Sequence, residues 1–228
     1  MRIVAWLGGA LFVGSLGYLG YFYLVTLASS SGEASRATAN ALIDIGLFSV
    51  FALHHSLLAR PGIKRRVVRV IPPEVERSAY VWVASLLAIA MCVLWRPLPG
   101  VVYRVDGWWR VPFWTLQAIG AVMTVHAARV INPLELAGIE QASGRRSNGS
   151  IQIVGPFRIV RHPIYLGWML MVFLAPLMTV NRLLFAVISS AYLILAIPWE
   201  ERSLVAGHGD PYREYQRAVR WRLIPGIW

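Results

Sequence analysis

Charged residues are scarce in this sequence, and cysteine is almost absent. Only 14% of the 228 residues are charged, whereas 57% are apolar and the mean hydropathy is +0.56. A chain of this composition has too little polar surface to fold as a water-soluble globule. The lone cysteine, Cys92, excludes a disulfide scaffold, and an aromatic content of 12% excludes a disordered chain. The composition therefore predicts an integral membrane protein.

Lysine is also scarce, although the formal net charge is +11. Of the 22 basic residues only Lys64 is a lysine, and the arginines are spread over short segments between apolar stretches. A nucleic-acid-binding protein concentrates its positive charge in a basic patch or stripe. We therefore expect a lipid bilayer and no nucleic acid as the partner, and we interpret the charges as topology signals.

Long apolar runs occupy most of the chain. A bilayer core of about 30 Å needs roughly 20 helical residues, and six stretches approach that length. They are 3–28, 41–59, 78–95, 112–131, 163–180 and 183–199. Only Asn181 and Arg182 separate the last two, which predicts a tight helical hairpin. We expect an all-α polytopic membrane bundle of about six transmembrane helices, followed by an amphipathic carboxy-terminal tail.

The distribution of basic residues predicts the orientation. Six spans place both termini on one side of the membrane, together with the connections 60–77 and 129–162. That side carries 17 of the 22 basic residues. The positive-inside rule assigns it to the cytoplasm. The loop 133–160 is long enough to act as a lid.

All five histidines fall at the predicted cytoplasmic helix ends or in cytoplasmic segments. They are His54, His55, His126, His162 and His208. Polar groups are costly in a membrane, so their clustering at one depth favours a functional site there. Taken singly, His54 or His126 is more often a bundle residue that satisfies a carbonyl.

The segment that begins at Arg161 has a more specific pattern. Pro163 suits the first position of a helix, which places Arg161 and His162 at a helix mouth that attracts anions. The predicted hairpin brings this mouth beside Glu200 and Glu201. A zwitterionic amino-acid group matches the pair, with its carboxylate at the mouth and its ammonium at a glutamate. A salt bridge between Arg161 and one of the glutamates is an equally good structural alternative.

Several motifs support a family resemblance. They are Arg161-His162-Pro163-x-Tyr165-x-Gly167, Glu200-Glu201-Arg202, Gly209-x-x-Tyr212-x-x-Tyr215 and Arg222-Leu223-Ile224-Pro225. This set resembles the isoprenylcysteine carboxyl methyltransferase and phospholipid methyltransferase superfamily of membrane enzymes. Five further segments, His54–Pro61, Glu76–Val81, Trp95–Leu98, Ile131–Asn132 and Ala175–Val180, are similar to its methanethiol S-methyltransferase branch.

The resemblance implies a single methyltransferase domain over 1–228, with a four-helix acceptor-side region over 1–132 and a cofactor-binding loop, hairpin and tail over 133–228. It implies S-adenosylmethionine as cofactor and methanethiol, a small thiol, as acceptor, with dimethyl sulfide as product. The implied cofactor contacts are Arg161, His162, Tyr165, Gly167, Glu200, Glu201, Tyr212 and Tyr215. The expected location is the bacterial inner membrane, with the active site and both termini facing the cytoplasm.

Thiol methylation needs a thiolate, because a thiol with a pKa of about 8.5 is mostly protonated near neutrality. A neutral histidine acting as base, or a nearby arginine that lowers the pKa of the thiol, would supply it, and His54, His55 and His126 are the catalytic candidates. Alignment of the two reactants without a protein base is the alternative. No metal is expected, and the oligomeric state is open.

Two other functions remain open at the level of sequence. The methyl acceptor could be a prenylcysteine carboxylate or a phospholipid amine, whose long chains require a lateral opening between helices. A non-catalytic haem or nitrogen-oxide assembly factor, with His54 and His126 as axial ligands, would have similar hydropathy.

Overall fold

The computed structural model describes residues 2–58, 63, 66–69, 72–131 and 152–228, and these residues are mainly helical. The α-helices are α1 Arg2–Tyr21, α2 Ala37–Leu58, α3 Pro73–Leu94, α4 Arg110–Ile131, α5 Pro163–Phe173, α6 Val180–His208 and α7 Asp210–Ala218. The strands are β1 Val101–Arg104 and β2 Leu177–Thr179. A π-helical turn, Phe22–Thr26, follows α1, and short 3₁₀ turns cover Ala34–Arg36, Gly107–Trp109 and Gly155–Arg158.

Five helical segments within the described ranges are long and apolar enough to cross a membrane. They are Ile3–Thr26, Ala34–Leu58, Glu76–Leu94, Gly107–Ile131 and Val180–His208. Large apolar side chains are exposed along them, such as Val122 at 69% and Leu195 at 63%. Exposed apolar surface of this extent is unfavourable in water and is stable when it contacts lipid. The chain is an integral membrane protein with an all-α bundle, as its composition predicts.

The prediction of a full fifth span is wrong. Helix α5 ends at Phe173, so its 11 residues extend over about 16 Å, roughly half of a bilayer core. Pro176 lies just beyond the end. Proline lacks the N–H that a helix needs and disfavours helical geometry at the residue before it. The chain therefore leaves α5 and runs into β2, which pairs antiparallel with β1.

The predicted hairpin turn at Asn181 and Arg182 is also wrong, because both residues are buried in the first turn of α6. Thr179 caps this helix by accepting a hydrogen bond from the Arg182 N–H at 3.1 Å. The Arg182 guanidinium donates to the carbonyl of Leu177 at 2.6 Å. An extended, capped connection thus replaces the turn, while α5 and α6 still pack against each other.

Two compact units divide the described chain after Gly100. In the first unit, α3 packs against both α1 and α2. Gly8 allows a close approach between helices, because a Cβ there would lie 2.7 Å from the indole nitrogen of Trp82. Asp44 on α2 is fully buried and accepts the backbone N–H of Arg96 at 2.8 Å, which fixes the chain just after α3.

The second unit comprises α4 to α7 and the two strands. Helices α4 and α5 cross closely at Gly120 and Gly167, since a Cβ on either would lie 2.6 Å from the carbonyl oxygen of the other. The amphipathic tail helix is confirmed as α7, which buries Tyr212 and Tyr215. Helix α4 packs within this second unit. The predicted division into an acceptor-side region before residue 132 and a cofactor-binding region after it stays a prediction. Most of the predicted lid, residues 133–151, lies outside the described residues.

Candidate active site

A buried ion pair joins the start of α5 to α6. Arg161 is 8% exposed and Glu201 is 4% exposed, and the Arg161 Nε donates to Glu201 Oε1 at 2.6 Å. The Arg161 Nη1 also donates to the carbonyls of Val219 at 2.7 Å and Arg220 at 2.9 Å. The salt bridge that the sequence offered as an alternative is therefore present, with Glu201 as the partner.

Glu201 also binds two side chains from the carboxy-terminal segments. Its Oε2 accepts hydrogen bonds from the Arg222 Nε at 3.1 Å and from the Gln216 Nε2 at 3.3 Å. A buried carboxylate is stable only when such partners replace the water it has lost. Glu201 therefore acts as a structural hub that links α6 to the start of α5, to α7 and to the chain after α7.

The chain after α7 is paired with the segment before α5 through the backbone. The N–H groups of Arg161 and His162 donate to the carbonyls of Trp221 and Arg222, each at 2.9 Å. These bonds hold the mouth of α5 against the carboxy-terminal segment. His162 is the N-cap residue of α5, so its N–H is one that the helix itself cannot satisfy.

His162 occupies the N-cap position of α5 without a side-chain capping bond, and it is almost fully buried. Its ring stacks on Tyr165 with the centroids 5.3 Å apart. The Nε2 is buried without a hydrogen bond, 3.5 Å from Glu201 Oε1, and the Nδ1 lies 3.6 Å from Glu200 Oε2. An unsatisfied buried polar atom costs about 1–3 kcal/mol, so the Nε2 of His162 is a candidate for a ligand contact.

Glu200 differs from its neighbour Glu201 in being accessible. Its side chain is 42% exposed, and its Oε2 accepts a hydrogen bond from the hydroxyl of Tyr165 at 2.6 Å. Glu201, by contrast, is enclosed by two arginines and a glutamine. Of the two glutamates, Glu200 therefore presents a carboxylate that a cationic ligand can reach.

Tyr212 and Tyr215 are buried on α7, each 3% exposed, and their rings meet edge to face at 5.7 Å. The Tyr215 hydroxyl donates to the carbonyl of Phe157 at 2.9 Å. Burial raises the pKa of Tyr215 to about 12, and burial together with the nearby charge of Glu201 raises the pKa of Tyr212. Both phenols are neutral at physiological pH and anchor α7 to the unit.

Gly167 lies where α5 crosses α4. Any side chain at this position would collide with the carbonyl of Gly120 and with the hydroxyl of Thr124. Helix packing thus accounts for the glycine without a ligand. Its predicted contact with the cofactor stays a prediction.

His126, the third base candidate, is exposed on α4 and contacts the turn that precedes Arg161. Gly155 in that turn has φ +55°, and a Cβ on it would lie 2.8 Å from the Cδ2 of His126. Both the positive φ and the close contact favour glycine. His126 therefore lies beside the segment that leads to the mouth of α5.

His54 and His55 belong to the first unit, where they meet residues that the sequence did not single out as candidates. The Tyr80 hydroxyl and the His55 Nδ1 share a hydrogen bond of 2.7 Å, and His54 stacks on the Tyr80 ring at 5.6 Å. The guanidinium of Arg77 lies 5.0 Å from the centre of the same ring. The motif Glu76–Val81 contains Tyr80 and Arg77, but only the packing of α2 on α3 brings them to the histidines.

The Glu201 partners Gln216 and Arg222 were also missed as site residues. Arg222 begins the motif Arg222-Leu223-Ile224-Pro225, so the sequence offered a signal for this residue. No sequence motif marks Gln216 as a site residue. Within the described part of the chain, no three His, Cys, Asp or Glu residues lie together in a way that could hold a metal ion.

Several proteins named methanethiol S-methyltransferase are similar to this chain over most of its length. The one from Crocosphaera subtropica is 35% identical over 219 residues, which cover 93% of this chain and 85% of that protein. The one from Mycobacterium tuberculosis is 36% identical over 188 residues, or 80% of this chain and 77% of that protein. Methanethiol S-methyltransferase 2 from Bradyrhizobium diazoefficiens is 33% identical over 224 residues, or 95% and 85%. No family model and no solved structure matches the chain.

Proposed function

The chain belongs to the methanethiol S-methyltransferase family and is a methyltransferase, and we propose that it transfers the methyl group of S-adenosylmethionine to methanethiol and releases dimethyl sulfide. The similarity to relatives of that name over most of the chain carries the proposal. Membership of an enzyme family sets aside the alternative of a haem or nitrogen-oxide assembly factor. The acceptor panel described below distinguishes methanethiol from a lipid-linked acceptor.

The mouth of α5 fits the amino-acid end of S-adenosylmethionine, which is a zwitterion. Glu200 offers an accessible carboxylate for the ammonium group, and the buried Nε2 of His162 makes no hydrogen bond among the described residues, although it lies 3.5 Å from Glu201 Oε1. The amino terminus of α5 favours a carboxylate through the positive end of its helix dipole. When bound, this cofactor supplies an electrophilic methyl group on a sulfonium sulfur.

The neighbouring residues have supporting roles in this proposal. Tyr165 holds the Glu200 carboxylate through its hydroxyl. Glu201 pairs with both Arg161 and Arg222, which keeps the mouth of α5 in place and leaves the Glu201 carboxylate engaged within the protein. The two buried tyrosines of α7 anchor the tail helix that carries Gln216.

The acceptor side must do two things, namely exclude large acceptors and produce a thiolate. Methanethiol offers one methyl group for apolar contact, worth roughly 1 kcal/mol, so selectivity depends on excluding larger molecules. Transfer from a sulfonium to a thiolate annihilates opposite charges, and an environment poor in water favours such a step. His54, His55 and His126 are the candidate bases. In this proposal the site and both termini face the cytoplasm, from the distribution of basic residues.

An acceptor panel tests the proposed function. Purified protein in lipid nanodiscs is incubated with S-adenosylmethionine and one acceptor at a time: methanethiol, ethanethiol, longer alkyl thiols or a farnesylcysteine analogue. We expect equal amounts of dimethyl sulfide and S-adenosylhomocysteine from methanethiol, and a rate that falls as the thiol grows beyond a few carbons. Methylation of the farnesylcysteine analogue with no dimethyl sulfide from methanethiol would assign the enzyme to a lipid-linked acceptor.

A further inference from the structure

Arg222, in the second unit, carries a positive charge that the described residues offset only in part. Its Nε donates to Glu201 Oε2 at 3.1 Å, but the Arg161 Nε binds the other oxygen of the same carboxylate at 2.6 Å. Two guanidinium groups therefore share one negative charge. Arg161 is buried, whereas the Arg222 side chain is 37% exposed. Of the two arginines, Arg222 is the one that an anionic ligand can reach.

The Arg222 guanidinium is held in place from two directions. Its Nε binds Glu201, and its central carbon lies over the Trp228 ring, 5.5 Å from the ring centre. The chain turns back to place Trp228 there, since the N–H groups of Leu223 and Ile224 donate to the Trp228 carbonyl at 3.0 and 3.2 Å. The two terminal nitrogens of Arg222 make no hydrogen bond with the described residues. Two such N–H donors match the two oxygens of a carboxylate.

Arg222 also lies close to His162 at the mouth of α5. The His162 N–H donates to the Arg222 carbonyl at 2.9 Å, and the His162 Nε2 lies 3.5 Å from the Glu201 carboxylate that Arg222 binds. On the other side of the imidazole, the Nδ1 lies 3.6 Å from Glu200 Oε2. One buried ring thus has an accessible glutamate on one side and, next to Glu201, an accessible arginine on the other.

We propose that Arg222 binds the carboxylate of the amino-acid end of S-adenosylmethionine and that Trp228 is the positioning residue that orients the guanidinium. This inference rests on the proposed function, in which Glu200 binds the ammonium group. An α-amino acid carries both charges on one carbon, so it needs a cation and an anion that lie close together without pairing with each other. Arg222 and Glu200 meet that need, because His162 and Glu201 lie between them.

The test compares two ligands that differ only in the carboxylate, S-adenosylhomocysteine and its decarboxylated analogue. Both keep the adenosine and the ammonium group. Calorimetry on the purified protein in lipid nanodiscs gives the two Kd values, and the Kd of the analogue divided by that of S-adenosylhomocysteine reports recognition of the carboxylate. In Arg222→Gln we expect this ratio to fall by about 10-fold or more, because charge-assisted hydrogen bonds are lost.

Variants of Trp228 test the positioning role. Trp228→Ala should lower the same ratio by about 2- to 5-fold, because the guanidinium loses its cation–π contact. Trp228→Phe keeps an aromatic ring under the guanidinium and should retain most of the wild-type ratio. A purely structural effect of either variant would weaken both ligands alike and leave the ratio unchanged.

Two control variants separate the carboxylate contact from other effects. Arg220→Gln removes the same charge from an exposed side chain two residues away and should leave the ratio unchanged. Glu200→Gln should weaken both ligands to a similar extent, because both carry the ammonium group, and should also leave the ratio unchanged.

The outcomes distinguish this inference from the proposed function. A wild-type protein that binds neither ligand would contradict the proposed cofactor and, with it, the role of Arg222. Wild-type binding that favours S-adenosylhomocysteine, with the same ratio in Arg222→Gln, would leave the cofactor in place and reduce Arg222 to a structural partner of Glu201. An unchanged ratio in Trp228→Ala would remove the positioning role of Trp228.

Discussion

Replacing Glu201 by glutamine should destabilise the second unit without removing any atom from the packing. The substitution keeps the shape and one carbonyl oxygen but removes the negative charge. Arg161, whose side chain is 6% exposed, then lies buried beside a neutral amide. Arg222 loses its charged partner as well, although its side chain is 37% exposed and remains partly solvated.

The size of the effect follows from these contacts. Breaking a buried ion pair by removing one partner costs about 3–5 kcal/mol. Arg161 retains two carbonyl acceptors, and the glutamine oxygen can accept one hydrogen bond, so we expect about 2–3 kcal/mol. For a chain of this size, 1 kcal/mol corresponds to roughly 2–4 °C, which predicts a fall in Tm of about 4–12 °C.

Thermal unfolding of the purified protein, followed by tryptophan fluorescence, measures this fall. Glu200→Gln is the matched control, because that exposed side chain should change the free energy of unfolding by less than about 1 kcal/mol. The same control should weaken binding of S-adenosylmethionine by about 10-fold or more, since it removes the carboxylate proposed for the ammonium group. A variant of Glu201 that keeps the wild-type Tm and loses only cofactor affinity would refute the structural role of Glu201.

Three further predictions concern packing, alkaline stability and topology. Gly167→Ala should cost about 1–3 kcal/mol by forcing α4 and α5 apart, whereas Gly207→Ala, which has open space around it, should not destabilise the protein in the same unfolding assay. Because the pKa of Tyr215 is raised from 10.0 to about 12 on folding, stability should fall as pH rises across that interval, and Tyr215→Phe should lessen the fall; an unchanged pH dependence would contradict the role of burial. A cysteine at position 213 should react with an impermeant maleimide only in permeabilised cells and one at position 104 in intact spheroplasts; the opposite labelling would reverse the orientation.

The sequence predicted the helical spans well because membrane helices need long apolar runs, which can be counted directly. It failed where backbone geometry matters more than hydropathy. The stretch 163–180 is apolar throughout, but Pro176 ends the helical geometry and β1 supplies a strand partner for the residues that follow. Proline was a visible signal, whereas the pairing with Val101–Arg104 was not, because it joins segments distant in sequence.

The same division applies to the candidate site. The contact between Arg161 and Glu201 was predicted from two adjacent antiparallel segments. It is present even though the predicted turn between those segments was misplaced. The contacts of Tyr80 with the two histidines depend on how α2 rotates against α3, which no local pattern encodes. The reason for Gly167 likewise appears only when α4 is in place.

The most direct test of the central claim follows the methyl group itself. The purified protein is supplied with methanethiol and S-adenosylmethionine labelled with a trideuterated methyl group, and the volatile product is analysed by gas chromatography and mass spectrometry. We predict dimethyl sulfide that carries one trideuterated methyl group, formed in equal amount to S-adenosylhomocysteine. Unlabelled dimethyl sulfide, or S-adenosylhomocysteine released without any dimethyl sulfide, would contradict the proposed reaction.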